Sequence, residues 1–145
     1  MNLCPAFSAF RLIPFQTFQI PEGKLLNVTE KKEKTGVDEE KEKAIRCADC
    51  GFGITTARER IEMNGHHSHV FNNPAGYLFE IGCFASAPGC VNRGEPTMEF
   101  TWFAGFAWRF ALCGNCSAHL GWRYHSGGGR SFYGLILDCI REDPV

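Results

Sequence analysis

Eight cysteines, five histidines and three tryptophans hold most of the chemistry open to this 145-residue chain. Four of the cysteines form two Cys-x-x-Cys pairs, Cys47-Ala-Asp-Cys50 and Cys113-Gly-Asn-Cys116. A two-residue spacer turns tightly enough to put both sulfurs on one metal, with main-chain N–H groups facing them. Two such pairs supply four soft thiolates in tetrahedral geometry, which is what structural Zn²⁺ prefers. The expected cofactor is one structural zinc per chain, held by Cys47, Cys50, Cys113 and Cys116. Gly51 after the first pair and Gly114 within the second are expected to ease the turns. A site closed by four thiolates leaves no position for water or substrate, so no catalytic role is assigned to it. The competing redox reading needs a helix N-terminus to lower a thiolate pKa, and two pairs suit a shared metal better. Residues 51–112 separate the pairs, far more than the roughly 15–20 residues of a plain zinc ribbon. The metal must therefore clamp segments that are distant in sequence.

The other thiols and imidazoles are less telling. Cys4, Cys83, Cys90 and Cys139 show no ligand spacing and read as small buried apolar groups or surface thiols. His66, His67 and His69 in NGHHSHV read either as a metal tract or as a polar loop, the loop being the commoner outcome. His119 follows Cys116 by three residues. Beside four thiolates it is expected to hydrogen-bond within the knuckle or to pack on Trp122.

All three tryptophans lie in TWFAGFAWRFALCGNCSAHLGW, residues 101–122. Gly105 suggests a tight bend that sets Trp102 and Trp108 facing each other across a short hairpin. Trp122 leaves the second knuckle. They are either ordinary core residues or the walls of an aromatic box. Tryptophan is seldom fully buried and its N–H needs a partner, demands that an open box meets more easily than a core.

The elements that must position these groups are short. Residues 1–45 hold an apolar, proline-broken arm (1–27, with Phe7, Phe10, Phe15 and Phe18) and all but the last residue of a charged linker over 28–46, VTEKKEKTGVDEEKEKAIR, with almost no apolar periodicity. The domain proper is expected over 46–145, its composition changing at Cys47. HVFNN ends at Pro74, and GYLFEIGCF alternates as a strand. SAPGCVNRGEP reads as a loop, FAWRFALC as a strand, HSGGGR as a hairpin connection and SFYGLILDCI as the last strand. Only 53–64 has the look of a helical turn. The pattern predicts a mostly β, antiparallel domain.

Composition sets outer bounds. A net charge of −1 offers no electrostatic footprint for nucleic acid or an anionic membrane. All six lysines precede residue 46. No stretch approaches the roughly 20 apolar residues of a membrane span, and the N-terminus lacks the basic n-region of a signal peptide. A reducing, cytoplasmic setting is expected, in which cysteines serve metals more often than disulfides.

Several motifs occur together in order: Cys-x-x-Cys-Gly, NPAGYLF, TWFAGFAWRFALCGNCSAHLGW and FYGL. From about Cys47 to about Asp138 they resemble the thalidomide-binding domain of the cereblon family, the CULT domain. The resemblance implies a β-tent, two antiparallel sheets pinned by a four-cysteine zinc. It also implies a pocket for cyclic imides such as glutarimide, walled by Trp102, Trp108 and Trp122 with Tyr124 at the base. Asn73 and Pro74 fall where the family has a neighbouring loop, and the backbone of Phe100 and Trp102 where it holds the imide edge. Implied partners are a small cyclic imide, a peptide terminus bearing one, or a uracil-like ring. The family's Lon-like domain, through which cereblon joins a ubiquitin ligase, has no counterpart in these residues, so an adaptor role is not expected. An imide is flat and uncharged with an acceptor–donor–acceptor edge; an aromatic box buries its back while a strand edge reads its front.

Two other readings compete. The segment CGNCSAHLG also resembles methionine-sulfoxide reductase B, whose nucleophilic cysteine would fall at Gly134, so the reaction lacks its thiolate. An aromatic cage can instead read methylated ammonium groups, for which Glu99 is the one carboxylate beside the tryptophans.

Overall fold

The computed structural model describes residues 42–144. The expectations for the Phe-rich arm and for most of the charged linker, together with Cys4, lie outside them. Nine strands follow one another: β1 (Ala44–Cys47), β2 (Gly53–Thr56), β3 (Ser68–Asn72), β4 (Leu78–Phe84), β5 (Cys90–Thr97), β6 (Ala107–Cys113), β7 (His119–His125), β8 (Ser131–Ile136) and β9 (Ile140–Glu142). Two single 3₁₀ turns, Ala57–Glu59 and Leu137–Cys139, complete the described elements. A three-stranded sheet has the order β2-β1-β9 and a six-stranded sheet the order β3-β4-β8-β7-β6-β5. Every pairing is antiparallel. The fold is mostly β, with two antiparallel sheets and four clustered cysteines where they meet.

Register decides which side chains meet. Paired residues share a sheet face, as do residues two apart along a strand. One face of the large sheet therefore carries Phe71, Phe79, Ile81, Cys83, Gly134, Trp122, Tyr124, Trp108 and Phe110. The loop between β5 and β6 folds over this face and inserts Phe103, which meets Tyr124 and Phe132 edge-on at 4.9 and 5.0 Å. On the opposite face, Phe84 and Leu135 are buried in the same hydrophobic cluster as Ile45 and Ile54 of the small sheet. Two ion pairs fasten the small sheet's ends, Arg46–Asp143 at 2.8 Å and Arg60–Glu142 at 2.6 Å.

Several local expectations need correction. β5 runs through CVNRGEPT, where Pro and Gly content suggested only a loop. Gly94 at φ 83° and the register shift between Arg93 and Thr97 accommodate those residues, because β5 is an edge strand. SFYGLILDCI is not one strand. It leaves the large sheet at Ile136, makes a 3₁₀ turn and enters the small sheet as β9. Residues 53–64 supply a strand before their short turn. β1 starts at Ala44, so the small sheet uses residues placed on the linker side.

A glycine carries the close approach of β7 to β8. At Gly121 φ is 151° and an added Cβ would collide with the Gly134 carbonyl and sit 2.9 Å from Leu135 Cα. Gly121→Ala is expected to cost about 2–4 kcal/mol, combining a clash against backbone with strain at positive φ. A denaturant midpoint unchanged from wild type would contradict this packing.

Candidate metal centre and ligand pocket

The two knuckles are built alike. Cys47 N–H donates to Phe52 O at 2.8 Å and Gly51 N–H to Cys47 O at 2.9 Å; Cys113 N–H donates to Ala118 O at 2.8 Å and Ser117 N–H to Cys113 O at 2.9 Å. The residue after each second cysteine is left-handed, Gly51 at φ 76° and Ser117 at φ 62°. Ser117, and not Gly114, thus takes the turn strain in the second knuckle. Gly114 serves close approach: its N–H donates to Gly89 O at 2.9 Å, and an added Cβ would sit 2.9 Å from that oxygen. Gly89 N–H in turn donates to Ile54 O of β2 at 3.0 Å. This relay draws the β6–β7 knuckle of the large sheet onto the β1–β2 knuckle of the small one.

The four sulfurs of Cys47, Cys50, Cys113 and Cys116 lie within 4.8 Å of one another. Cys47 and Cys116 are 3.7 Å apart and Cys50 and Cys113 3.6 Å apart. A tetrahedron with metal–sulfur bonds of about 2.3 Å has edges of about 3.8 Å, so the cage is the size that zinc needs. The thiols differ in their environments. Burial raises the pKa of Cys47, and pushes that of Cys116 up to about 12. The Asn115 side chain, with further help from Phe52 N–H, draws Cys50 down to about 6. A bound dication would hold all four as thiolates.

No histidine joins them. His67 Nδ1 pairs with Ile61 O at 3.1 Å, His69 Nε2 pairs with His66 O at 3.0 Å, and the His69 ring stacks on Phe71 at 5.6 Å. His119 donates from Nε2 to Gly121 O at 2.9 Å and meets Trp122 edge-on at 4.9 Å. Burial holds it neutral by lowering its pKa. Cys83 and Cys90 are free thiols pushed up to about 12 by burial, and Cys139 is buried but is not a free thiol.

Beside the second knuckle opens a cavity of about 1020 Å³. It brings together all seven residues singled out in the sequence: Asn73, Pro74, Phe100, Trp102, Trp108, Trp122 and Tyr124. Sequence reasoning missed Phe79, Phe110 and His119 as further walls. The parity of β4 and β6 was the available signal for the two phenylalanines. Trp102 and Trp122 meet edge-on at 4.8 Å, and Trp102 stacks on Phe71 at 5.0 Å. Trp102 lies in the β5–β6 loop and Trp108 on β6, where it meets Phe110 edge-on at 5.5 Å; both indoles line the cavity. Both indoles are anchored, Trp102 Nε1 donating to Asn72 O at 3.1 Å and Trp108 Nε1 to Glu99 O at 2.8 Å. Tyr124 is 1% exposed, and burial raises its phenol pKa.

The rim is a strained turn. Phe100 is left-handed at φ 52°, an uncommon state for a non-glycine residue. The residue is 71% exposed. Thr101 Oγ1 pins the turn by donating to Phe106 O at 2.7 Å. Among the described residues, no hydrogen bond uses the Phe100 carbonyl or the Trp102 main-chain N–H. An acceptor and a donor thus stand unused beside an aromatic wall.

No protein-family model matches the chain. Curated relatives do match. Protein cereblon of Drosophila willistoni is 28% identical over 107 residues, covering 69% of this chain and 18% of the relative. Protein cereblon of Drosophila virilis is 28% identical over 107 residues, covering 69% and 17%, and that of Drosophila pseudoobscura pseudoobscura is 28% identical over 102 residues, covering 66% and 17%. The chain is a cereblon-like CULT-domain relative. It spans less than a fifth of the length of these curated relatives. In this CULT-type domain the metal-ready cage and the aromatic cavity share one hairpin: β6 and β7 carry Cys113 at one end of the pair and Trp108 and Tyr124 at the other.

Proposed function

We propose that this domain is a zinc-stabilised binding module, not an enzyme, that takes a flat cyclic imide into its tryptophan cage. The observation that carries the reading is the join of an apolar box to an unused Phe100 C=O and Trp102 N–H. With the Trp102 and Trp108 indole N–H groups already satisfied, that main chain is left to read an imide's N–H and one carbonyl. The cavity sits at the upper end of the range for drug-sized ligands, leaving room for what the ring is attached to. This supports glutarimide-type compounds and peptide termini bearing a cyclic imide, with uracil-like rings as smaller occupants.

The competing readings gain less support. Among the described residues, no carboxylate lines the cavity, and Glu99 contributes its main-chain oxygen to Trp108; a cage for methylated ammonium groups is normally completed by a negative charge. No cysteine lines it either. At Gly134, the position of the reductase nucleophile, an added Cβ would lie 3.0 Å from Ile81 Cδ1 and from Tyr124 Cε2, so a thiol side chain there requires these two side chains to shift.

Zn²⁺ as the cage's metal and a cytoplasmic setting belong to the same proposal. Among the described residues, no helix is long and apolar enough to cross a membrane. The adaptor role of full-length cereblon is not carried over, because the match covers only 18% of the first relative. Tryptophan fluorescence titrated with glutarimide, succinimide, uracil and trimethyl-lysine tests the reading. Saturable quenching is expected with glutarimide and none with trimethyl-lysine. Because the Phe100 contact is through its main chain, Phe100→Ala is expected to change glutarimide affinity by less than about threefold, under ~1 kcal/mol.

A further inference from the structure

The face of the large sheet turned away from the cavity carries a cationic cluster. Arg109 on β6 stands directly opposite Arg123 on β7, and Arg123 opposite Tyr133 on β8. One pair further, His125 stands opposite Ser131. Asn92 on β5 pairs with Ala111 and reaches the Tyr133 hydroxyl at 3.2 Å, passing residues of little bulk, Ala111 and Gly121. By sheet parity these six residues share the face opposite Trp108, Trp122 and Tyr124.

Like charges directly opposite each other destabilise an antiparallel pair, and no ion pair among the described residues offsets this one. The ion pairs there join Arg46 to Asp143, Arg58 to Glu42 and Arg60 to Glu142, and neither Arg109 nor Arg123 enters one. A second observation points the same way. Among the described residues, three buried side-chain polar atoms lack a hydrogen-bond partner, Asn92 Oδ1, Arg109 Nε and His125 Nδ1, and all three belong to this cluster. Buried polar groups are nearly always satisfied, so unsatisfied ones gathered in one place call for a missing partner.

We propose that this face binds a small tetrahedral oxyanion, a phosphate group, between Arg109 and Arg123. Two guanidinium forks, an imidazole and the Ser131 hydroxyl offer more donors than a carboxylate's two oxygens can accept, whereas the three terminal oxygens of a phosphate suit them. Turning the Asn92 amide over lets its Oδ1 accept from the Tyr133 hydroxyl and its NH₂ donate into the site. The bound anion would neutralise the opposed arginines and satisfy Arg109 Nε. The sheet itself lies between this site and the aromatic cavity, so the two would fill independently.

The test is an NMR titration of the arginine Nε–Hε groups in the full-length, zinc-loaded chain. Potassium phosphate, or glycerol phosphate in a second arm, replaces potassium chloride at constant ionic strength. The Arg109 and Arg123 signals are expected to move together and saturate, while those of Arg58 and Arg130 stay in place. Arg123→Gln is expected to weaken phosphate binding about tenfold or more, the scale of a lost charged hydrogen bond. Tyr133→Phe, which keeps the ring's packing, is expected to weaken it less. Saturation by both probes assigns a phosphoryl group in general, and by inorganic phosphate alone the free ion; either upholds the site. No saturation with either probe, or equal movement of Arg58 and Arg130, overturns it. If Arg123→Gln fails to fold, the wild-type titration and Tyr133→Phe still decide.

Discussion

Serine in place of any one of Cys47, Cys50, Cys113 or Cys116 is expected to unfold the domain. The cage ties the β1–β2 turn to the β6–β7 turn, and so the small sheet to the large one. Structural zinc sites hold roughly 10–16 kcal/mol of apparent binding free energy, against about 5–15 kcal/mol of net stability for a typical domain. Losing one thiolate therefore removes a quantity as large as the whole stability. Cys47 and Cys113 are also buried, at 0% and 1% exposure, so a serine there adds an unsatisfied hydroxyl. Elemental analysis of protein purified without chelator is expected to give one zinc per chain, and a strong chelator is expected to abolish the cooperative thermal transition. Protein that contains no metal yet melts cooperatively would sink the assignment. Cys83→Ser and Cys90→Ser are the controls. Each should lower stability through burial of a hydroxyl while leaving zinc content at one.

N-methylation of glutarimide is expected to abolish binding. It replaces the ring's one donor with a methyl group and leaves the acceptor at Phe100 facing that methyl group without a partner. The parent compound, with about eight heavy atoms, is expected to bind with micromolar-range affinity. Trp102→Ala, Trp108→Ala and Trp122→Ala should each weaken it by about 100-fold, because each opens a wall and admits water to the imide's hydrogen bonds. The three will not cost the same in stability. Trp122 is 8% exposed and belongs to the core cluster, so its loss is expected to destabilise by about 3–5 kcal/mol. Trp108 is only partly buried, and its variant separates binding from folding. If the wild type ignores glutarimide while Trp102→Ala and Trp108→Ala are both strongly destabilised, the tryptophans are core. If the N-methyl compound binds as tightly as its parent, the cavity takes ligands without reading an imide.

Residue type and local spacing by themselves determined the four thiolates, because a Cys-x-x-Cys turn places two sulfurs without help from the rest of the chain. Alternation marked GYLFEIGCF and FAWRFALC as strands, and three glycines marked the connection before Ser131, since these signals are local. The motifs also carried the likeness to the CULT domain. What stayed hidden was long-range. The strand in CVNRGEPT exists because its partner β6 tolerates a register shift at the sheet's edge, which no property of the segment announces. The departure of SFYGLILDCI into a second sheet is decided by pairing of β9 with β1, almost a hundred residues away in sequence. Ser117 and Phe100 are left-handed although neither is a glycine, because packing around them outweighs their own preference. The opposition of Arg109 to Arg123 depends on the β6–β7 register alone. Side-chain chemistry is written residue by residue. Pairing, register and closure depend on which distant segments bury the most surface together, and only the folded chain decides that.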